Sequence, residues 1–421
     1  MRYLFIIAAC VLLFGCRKEV EAPVPDTTWD LFESSGAVPV GTHAQSRMEG
    51  VYTVTEGQTF FGPEAVLSWT WTRTGMDTTY QVSIFCEKDI AYLTGAGKRL
   101  DSTLLLNMYW RTLVNTGTGL GRLTIKPGEG VQQLQGEGPI AAGEVRISGL
   151  FGMDGDVPDR PFTLVYARPL PAADGFQVIA HRCGGRTADL LPASENSVEM
   201  IRMASRLGAT GVEMDVRLTS DGIPVLYHDD ALNVRCIKPC GLFGPIEDYS
   251  YAQLSGIVRL IHGERIPTLR EALSTVVHET PLAYVWIDTK YVGSMQVVRD
   301  IQQEYMDQAA AEGRDVHLLI GIPGEDQLSN FVALPDHASA PSLCELGVDE
   351  VHQANSEVYA PRWTLGLQAD ASAQMHAEGR RIFTWTLDVP IRVREYVEAR
   401  TFDGILSNYP SLVAYNHDVL Q

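Results

Sequence analysis

The pattern of the sequence changes at one short stretch, Pro169-Leu170-Pro171-Ala172-Ala173-Asp174, and that change limits the folds open to the chain. Before it, from Trp29 to Arg168, apolar and polar residues alternate in short runs: Val51-Tyr52-Thr53-Val54-Thr55, Val66 to Trp71, Tyr80 to Ile84. Glycine-containing turns separate the runs at Gly57, Gly75, Gly95 to Gly97 and Gly117 to Gly121. A period of two marks half-buried strands, and helical periodicity is scarce, so 29–168 is expected to be an all-β sandwich or small barrel. The aromatic residues Trp69, Trp71, Tyr109 and Trp110 read as its core rather than as a sugar- or lipid-binding face. What that domain binds (lipid, glycan or another protein) is left open.

After the hinge at 169–174, short apolar runs alternate with helix-like stretches. The expected strands are Gln177 to Ala180, Gly211 to Val216, Ile223 to Tyr227, Ala283 to Ile287, His317 to Ile322, Val348 to Val351, Arg381 to Leu387 and Phe402 to Leu406. Helices are expected over Ser194 to Leu207, Leu269 to His278 and Gly293 to Glu312. Strands alternating with helices over roughly 250 residues suit a (β/α)8 TIM-type barrel at 175–421 better than an open doubly wound sheet, because polar residues collect at the strand ends. The chain is thus multidomain.

Charge and termini narrow the function. The 33 Lys plus Arg against 52 Asp plus Glu give a net charge of −19, which argues against a nucleic-acid partner. Met1-Arg2, the apolar run Tyr3 to Phe14 and Gly15-Cys16 describe an export signal too short to span a bilayer. Leu13-Phe14-Gly15-Cys16 resembles the lipobox of bacterial lipoproteins, so 1–16 is expected to end at a lipidated Cys16, with 17–28 as a tether. The expected location is outside the cytoplasm, anchored to a bacterial outer membrane and facing the periplasm or the surface. Cys236 and Cys240 are close enough to clip a loop after export, so a possible disulfide, or else free thiols, is expected there rather than zinc, because no second Cys or His pair sits at zinc spacing.

Glu213-Met214-Asp215 carries the chemistry. Residues two apart in a strand face one side, so both carboxylates point together, at a cost in repulsion and desolvation unless a cation lies between them. Other expected strands end in His181-Arg182, in His228-Asp229 and in Asp288-Thr289-Lys290. Polar ends of this kind are hard to assign to core packing.

These segments, in this order, resemble the glycerophosphodiester phosphodiesterase family. Ile179 to Gly185 is similar to its His-Arg-Gly strand end, Ser194-Glu195-Asn196-Ser197 to its Pro-Glu-Asn-Thr helix start, and Gly208 to Val216 to its Glu-x-Asp strand. Thr219-Ser220-Asp221-Gly222 through His228-Asp229, Ile266 to Leu273, and Asp403 to Pro410 complete the likeness, which spans about 176–410 and leaves out the β domain. The resemblance implies Glu213, Asp215 and Asp288 as metal ligands and His181 and His228 as the acid/base pair. It implies Arg182 and Lys290 at the phosphate, with Glu195 and Trp385 in the substrate site. Three carboxylates suit one hard divalent cation, Ca2+ or Mg2+. The implied reaction is hydrolysis of glycerophosphodiesters, small deacylated phospholipids, to glycerol 3-phosphate and an alcohol, through a cyclic phosphate. Two alternatives stand beside it: a phospholipase acting on lysophospholipid or sphingolipid headgroups, and a non-catalytic surface binding lipoprotein. The chain departs from the family pattern at Cys183, at Asp288 for the usual Glu, at Ser194 for Pro and at Ser407-Asn408 for Thr-Asp.

Overall fold

The computed structural model describes residues 24–113, 117–172 and 174–421. The expected signal segment 1–16 with Cys16, and residues 17–23 of the tether, lie outside the described residues.

Nine strands form the first sheet: β1 (Val38–Pro39), β2 (Gly50–Glu56), β3 (Glu64–Thr74), β4 (Asp77–Cys86), β5 (Ala91–Leu100), β6 (Thr103–Thr112), β7 (Thr118–Ile125), β8 (Arg146–Phe151) and β9 (Arg160–Arg168). They pair antiparallel in the order β1-β5-β4-β3-β2-β9-β8-β7-β6, and a further β5–β6 pairing closes β2–β9 into a ring. The alternation explains its interior. Tyr52, Leu67, Ile84, Leu93, Leu106, Leu123 and Leu164 form one buried cluster, into which Phe61 packs against Phe162 with ring centroids 4.6 Å apart. Trp110 is buried there, Trp69 packs on its edge, and Trp71 lies under the Arg314 guanidinium of the second region.

The second sheet holds β10 (Gln177–Ala180), β11 (Gly211–Leu218), β12 (Pro224–Leu226), β13 (Tyr284–Thr289), β14 (His317–Ile322), β15 (Ser342–Cys344), β16 (Val358–Tyr359), β17 (Arg381–Thr384) and β18 (Gly404–Ser407). All except β12 pair in parallel, and β10 joins both β11 and β18, so the parallel strands form a closed ring. Two expected strands are corrected. Ile223 to Tyr227 contributes only β12, an antiparallel branch on β11 outside the ring. Val348–Ala354 is a helix: Asp349 and Glu350 occupy its first turn, where carboxylates favour the helix dipole, and Val351 and Ala354 are its buried face. The two ring positions are taken by β15 and β16, too short to show any period.

Inside the ring, Ile179, Trp286, Leu319, Leu343, Phe383 and Leu406 pack as an apolar layer. Outside it, Val212, Met214, Val285 and Ile287 face the helices, including Val198–Ala204, Leu269–Glu279 and Gln296–Ala311. The first of these is capped by Ser197, whose Oγ accepts from Met200 N at 3.0 Å, while Ser194 instead binds Glu264.

The two rings touch through Val66, Phe85 and Tyr92, which share a core with Ala204 and Ala414. Gly208, at φ 86°, permits the approach, because a Cβ there would lie 3.1 Å from the Phe85 ring of the first region and 2.7 Å from Ala414 Cβ. His417, near the hinge, is 3.2 Å from both Asp174 and Asp418 and stacks on Phe176. Burial lowers its pKa, but the two carboxylates outweigh this and the net shift is upward. A raised folded value means stability present below the ordinary histidine range and lost as pH rises through the folded value. Thermal unfolding of the parent should therefore show a drop over that window, of less than about 1 kcal/mol because Asp174 is solvent-screened, and His417→Ala should flatten it.

Candidate active site

In the ring, each inward residue of the apolar layer except Leu319, which leads to Gly321, is followed two positions later by a side chain at the strand's C-terminal end. Ile179 leads to His181, Trp286 to Asp288 and then Lys290, and Phe383 to Trp385. The same step carries Leu343 to Glu345 and Leu406 to Asn408. Parallel register sets Asp215 beside Asp288 and Glu213 beside Trp286. A cleft of about 380 Å³ opens there, lined among others by His181, Arg182, Glu213, His228, Asp288 and Lys290. Trp385 also lines it, with Nε1 donating to Ala360 O at 2.8 Å, so this side chain both packs and faces the cleft.

Glu213, Asp215 and Asp288 offer oxygens within 4.8 Å of one another and are all buried. Glu213 Oε1 and Asp288 Oδ1 have no hydrogen-bond donor, and Asp215 Oδ1 has only the Lys290 ammonium, at 3.2 Å. Lys290 also ion-pairs with Asp288. Burial first, and repulsion from the neighbouring acids second, push the Glu213 carboxyl well above its usual range; burial likewise raises Asp288. Burial acts upward on Asp215 too, but Lys290 and the two histidines hold it below the usual value. Two oxygens without donors in an all-oxygen set fit a divalent cation, which would remove both penalties.

Both imidazoles are anchored through Nδ1. His181 Nδ1 lies 2.7 Å from Asn408 Oδ1, and Asn408 Nδ2 donates to Asp388 Oδ2 at 2.6 Å. With the carboxamide oxygen thus turned to the ring, Nδ1 is the donor and Nε2 keeps its lone pair, 3.8 Å from Glu213 Oε2. Burial, aided by Arg182, pushes the His181 pKa down to about 4. His228 Nδ1 faces Asp229 Oδ1 at 2.7 Å. Burial would raise Asp229, but Arg235, His228 and Asn233 together hold it well below the carboxylate range. That anion accepts from Nδ1 and fixes the orientation of the His228 ring.

Arg182 has φ 51° and Cys183 φ 70°, so the chain turns left-handed where the expected motif is interrupted. The turn aims Arg182 N at Glu213 Oε2, 2.7 Å away. The Arg182 side chain donates to Glu195 at 2.9 Å, leaving its buried Nε without an acceptor. Glu195 lies behind Arg182 and does not line the cleft; it also accepts from Arg235 at 2.8 Å and Thr187 N at 2.7 Å. Asn196 clamps Asp215, donating to Oδ2 at 2.7 Å and accepting from its amide at 3.1 Å.

The expected disulfide is not formed: Cys236 and Cys240 are both free thiols. Cys236 is buried in a small core with its Sγ 3.6 Å from Glu195, whereas Cys240 is only half-buried. Sequence reasoning did not single out Asp388, Arg235, Glu345 or Arg362. The two-residue step along β15 reaches Glu345, and Arg362 follows Ala360 in the same way; Asp388 and Arg235 sit on loops with no periodic signal. A larger groove of about 470 Å³ lies among the outer helices, but its Arg202, Arg265 and Arg270 pair with Glu279, Glu271 and Glu304.

Comparison with known proteins points to one family. Residues 181–318 match the model of the Glycerophosphoryl diester phosphodiesterase family. Among its relatives, Glycerophosphodiester phosphodiesterase 1 of Rattus norvegicus is 38% identical over 109 residues, 25% of this chain. The chain spans about a third, 31%, of that relative's length. A glycerophosphodiester phosphodiesterase of Caldanaerobacter subterraneus is 24% identical over 242 residues, covering 55% of this chain and 94% of the relative. A crystal structure of a glycerophosphodiester phosphodiesterase from Parabacteroides distasonis aligns with TM-score 0.46 at 22% identity, over 59% of this chain and 100% of its own.

Asp388 gives a first test of the site. Asp388→Ala removes three hydrogen bonds, from Asn408 Nδ2, Asn408 N and Ser407 Oγ, and frees the Asn408 carboxamide to turn. The loss of the bond that orients it, about 1–3 kcal/mol, should lower kcat in a phosphodiester assay by roughly 10–100-fold and lower Tm as well. Steady-state kinetics on the variant check it.

Proposed function

We propose that the second region is a (β/α)8 barrel enzyme that hydrolyses glycerophosphodiesters to glycerol 3-phosphate and an alcohol. The observation that carries the reading is the pair of Nδ1-anchored imidazoles, His181 and His228, lining one cleft with the buried acids Glu213 and Asp288, whose oxygens lie within 4.8 Å of an oxygen of Asp215. Held by those acids, a Ca2+ or Mg2+ ion would supply positive charge to a phosphate oxygen and to the neighbouring glycerol hydroxyl. His181 Nε2, with its free lone pair, takes the proton of that hydroxyl as it attacks phosphorus. His228, oriented by Asp229 through Nδ1, delivers a proton to the leaving alkoxide. The roles reverse when water opens the cyclic phosphate. Arg182, braced by Glu195, turns its unpaired Nε to the phosphate oxygens, and Lys290 adds a point charge beside them.

The test is release of glycerol 3-phosphate from glycerophosphocholine and glycerophosphoethanolamine with Ca2+ or Mg2+, with and without EDTA. Turnover that survives EDTA would remove the cation from the scheme, and no release from either compound would return the chain to the binding-protein alternative. The same reading places the protein outside the cytoplasm, tethered through Cys16; the sequence of 1–28 supports it.

A further inference from the structure

His228 and Arg182 sit on different strand exits. His228 follows β12, the branch outside the ring, and Arg182 follows β10. Each is braced by a carboxylate: His228 Nδ1 by Asp229 at 2.7 Å, and the Arg182 guanidinium by Glu195 at 2.9 Å. Those two carboxylates are in turn held by one dipeptide, Arg235-Cys236.

Arg235 directs every guanidinium nitrogen at them. Nε donates to Asp229 Oδ2 at 3.0 Å, Nη2 to Asp229 Oδ1, and Nη1 to Glu195 Oε2 at 2.8 Å. Cys236 Sγ lies on the buried side, 3.6 Å from Glu195 Oε1 and 3.8 Å from Asp229 Oδ2. Among the described residues, no other side chain hydrogen-bonds both carboxylates. The dipeptide is itself fixed. Asn233 Oδ1 accepts from Arg235 N at 3.0 Å, Asn233 Nδ2 donates to Asp229 at 2.6 Å, and Cys236 is buried in the small core with Ile237. Neither Arg235 nor Asp229 lines the cleft, so whatever Arg235 does to the reaction it does through its neighbours. A planar fork sets both the distance and the angle between two carboxylates, whereas an ammonium is a point charge that sets neither.

We propose that Arg235 is a positioning residue that ties His228 and Arg182 into one unit, so that proton delivery to the leaving group and the hold on the phosphate are set together. The statement rests on the phosphodiesterase reading above. It has a consequence that a general loss of structure lacks. The His228 arm counts only where the departing oxygen needs a proton, while the Arg182 arm counts for every leaving group.

Steady-state kinetics on two diesters of glycerol 3-phosphate separates the arms. Choline departs as an alkoxide and needs the proton; para-nitrophenol departs as a stable phenolate and does not. Arg235→Ala should lower kcat/KM by about 100-fold or more for glycerophosphocholine and by about tenfold for the nitrophenyl ester, with the difference in kcat. The Arg235 side chain is 39% exposed, so its removal leaves a slot open to solvent. Added guanidinium, kept below unfolding concentrations, should recover most of the choline-ester loss. Arg235→Lys keeps a cation on the loop and covers an alanine variant that does not fold; it should show the same preference for the nitrophenyl ester. Equal losses on the two esters in a folded variant, or full activity of both variants, would overturn the tie. A parent that releases glycerol 3-phosphate from neither ester would instead sink the phosphodiesterase reading.

Discussion

His181→Ala should lower kcat for glycerol 3-phosphate release by about 10²–10⁴-fold while the protein still folds. The imidazole is held by one hydrogen bond, to Asn408, and its loss leaves the apolar layer below intact. The sign of the pH effect is also fixed by its partner. The hydrogen bond to the neutral Asn408 carboxamide raises the pKa, but burial and Arg182 outweigh it and push the pKa down to about 4, so the base form persists through the physiological range. Moving the charge one link closer, by the double change Asn408→Asp with Asp388→Asn, sets an anion on Nδ1 and raises the imidazole pKa. The acid limb of the kcat/KM profile should then shift to higher pH. An unshifted limb would mean that His181 is not the group titrating there, and full activity of His181→Ala would end its assignment as base.

How much of this was legible in the sequence depends on element length. Runs of six or more residues with a clear period, such as β3, β4, β11, β13 and the helix Leu269–Glu279, were expected within a few residues of where they lie. The pair β15 and β16 was not, because strands of three and two residues cannot show a period, and their ends are fixed by pairing with β14 and β17 instead. Val348 to Val351 drew a strand expectation from its apolar ends alone. The i, i+3 spacing of Val348 and Val351, with Asp349 and Glu350 between them, was the helical signal overlooked. Ring closure in the first region was open from sequence, since β5 and β6 must be adjacent in any meander and only the β2–β9 pairing brings the ends together.

The candidate site was more legible than its supports. His181, Glu213, Asp215 and Asp288 sit at strand ends, where a two-residue alternation aims them inward, and the cleft brings them together with His228, Arg182, Lys290 and Trp385. What holds them is not periodic. Asp388 reaches Asn408 from another strand exit, and Arg235 bridges Asp229 and Glu195 from a loop whose path is set by the small core around Tyr227, Ile246 and Leu260. The disulfide expectation failed for the same reason: spacing brought Cys236 and Cys240 near in sequence, but that core faces Cys236 inward to Glu195. Asn408, noted in sequence only as a lost charge, is the residue that fixes the His181 tautomer.

Glu213→Gln should abolish cation binding and turnover together, yet make the cation-free protein more stable. Glu213 is buried, its Oε1 has no donor, and its carboxyl is pushed well above its usual range by burial and by Asp215. A folded pKa above the unfolded one means that Glu213 takes up a proton on folding. Its stability contribution is full below the ordinary carboxylate range and lost as pH rises through the folded value. Asp288 behaves alike, so in EDTA the parent should lose stability steadily on the alkaline side of that range. A bound divalent cation replaces the proton, and at a hundredfold excess over its Kd it adds about 2.7 kcal/mol. The cation-induced rise in Tm should accordingly be larger at pH 8 than at pH 6. Glu213→Gln, which keeps the shape and the contact with Arg182 N but carries no charge, should flatten the alkaline loss in EDTA and show no rise in Tm with Ca2+ or Mg2+. Calorimetric titration and thermal unfolding of the two proteins at both pH values decide it. A variant that still binds the ion as tightly as the parent would show that Glu213 is not a ligand, and an equal Tm rise at both pH values would mean that the ion does not relieve the repulsion among these buried acids.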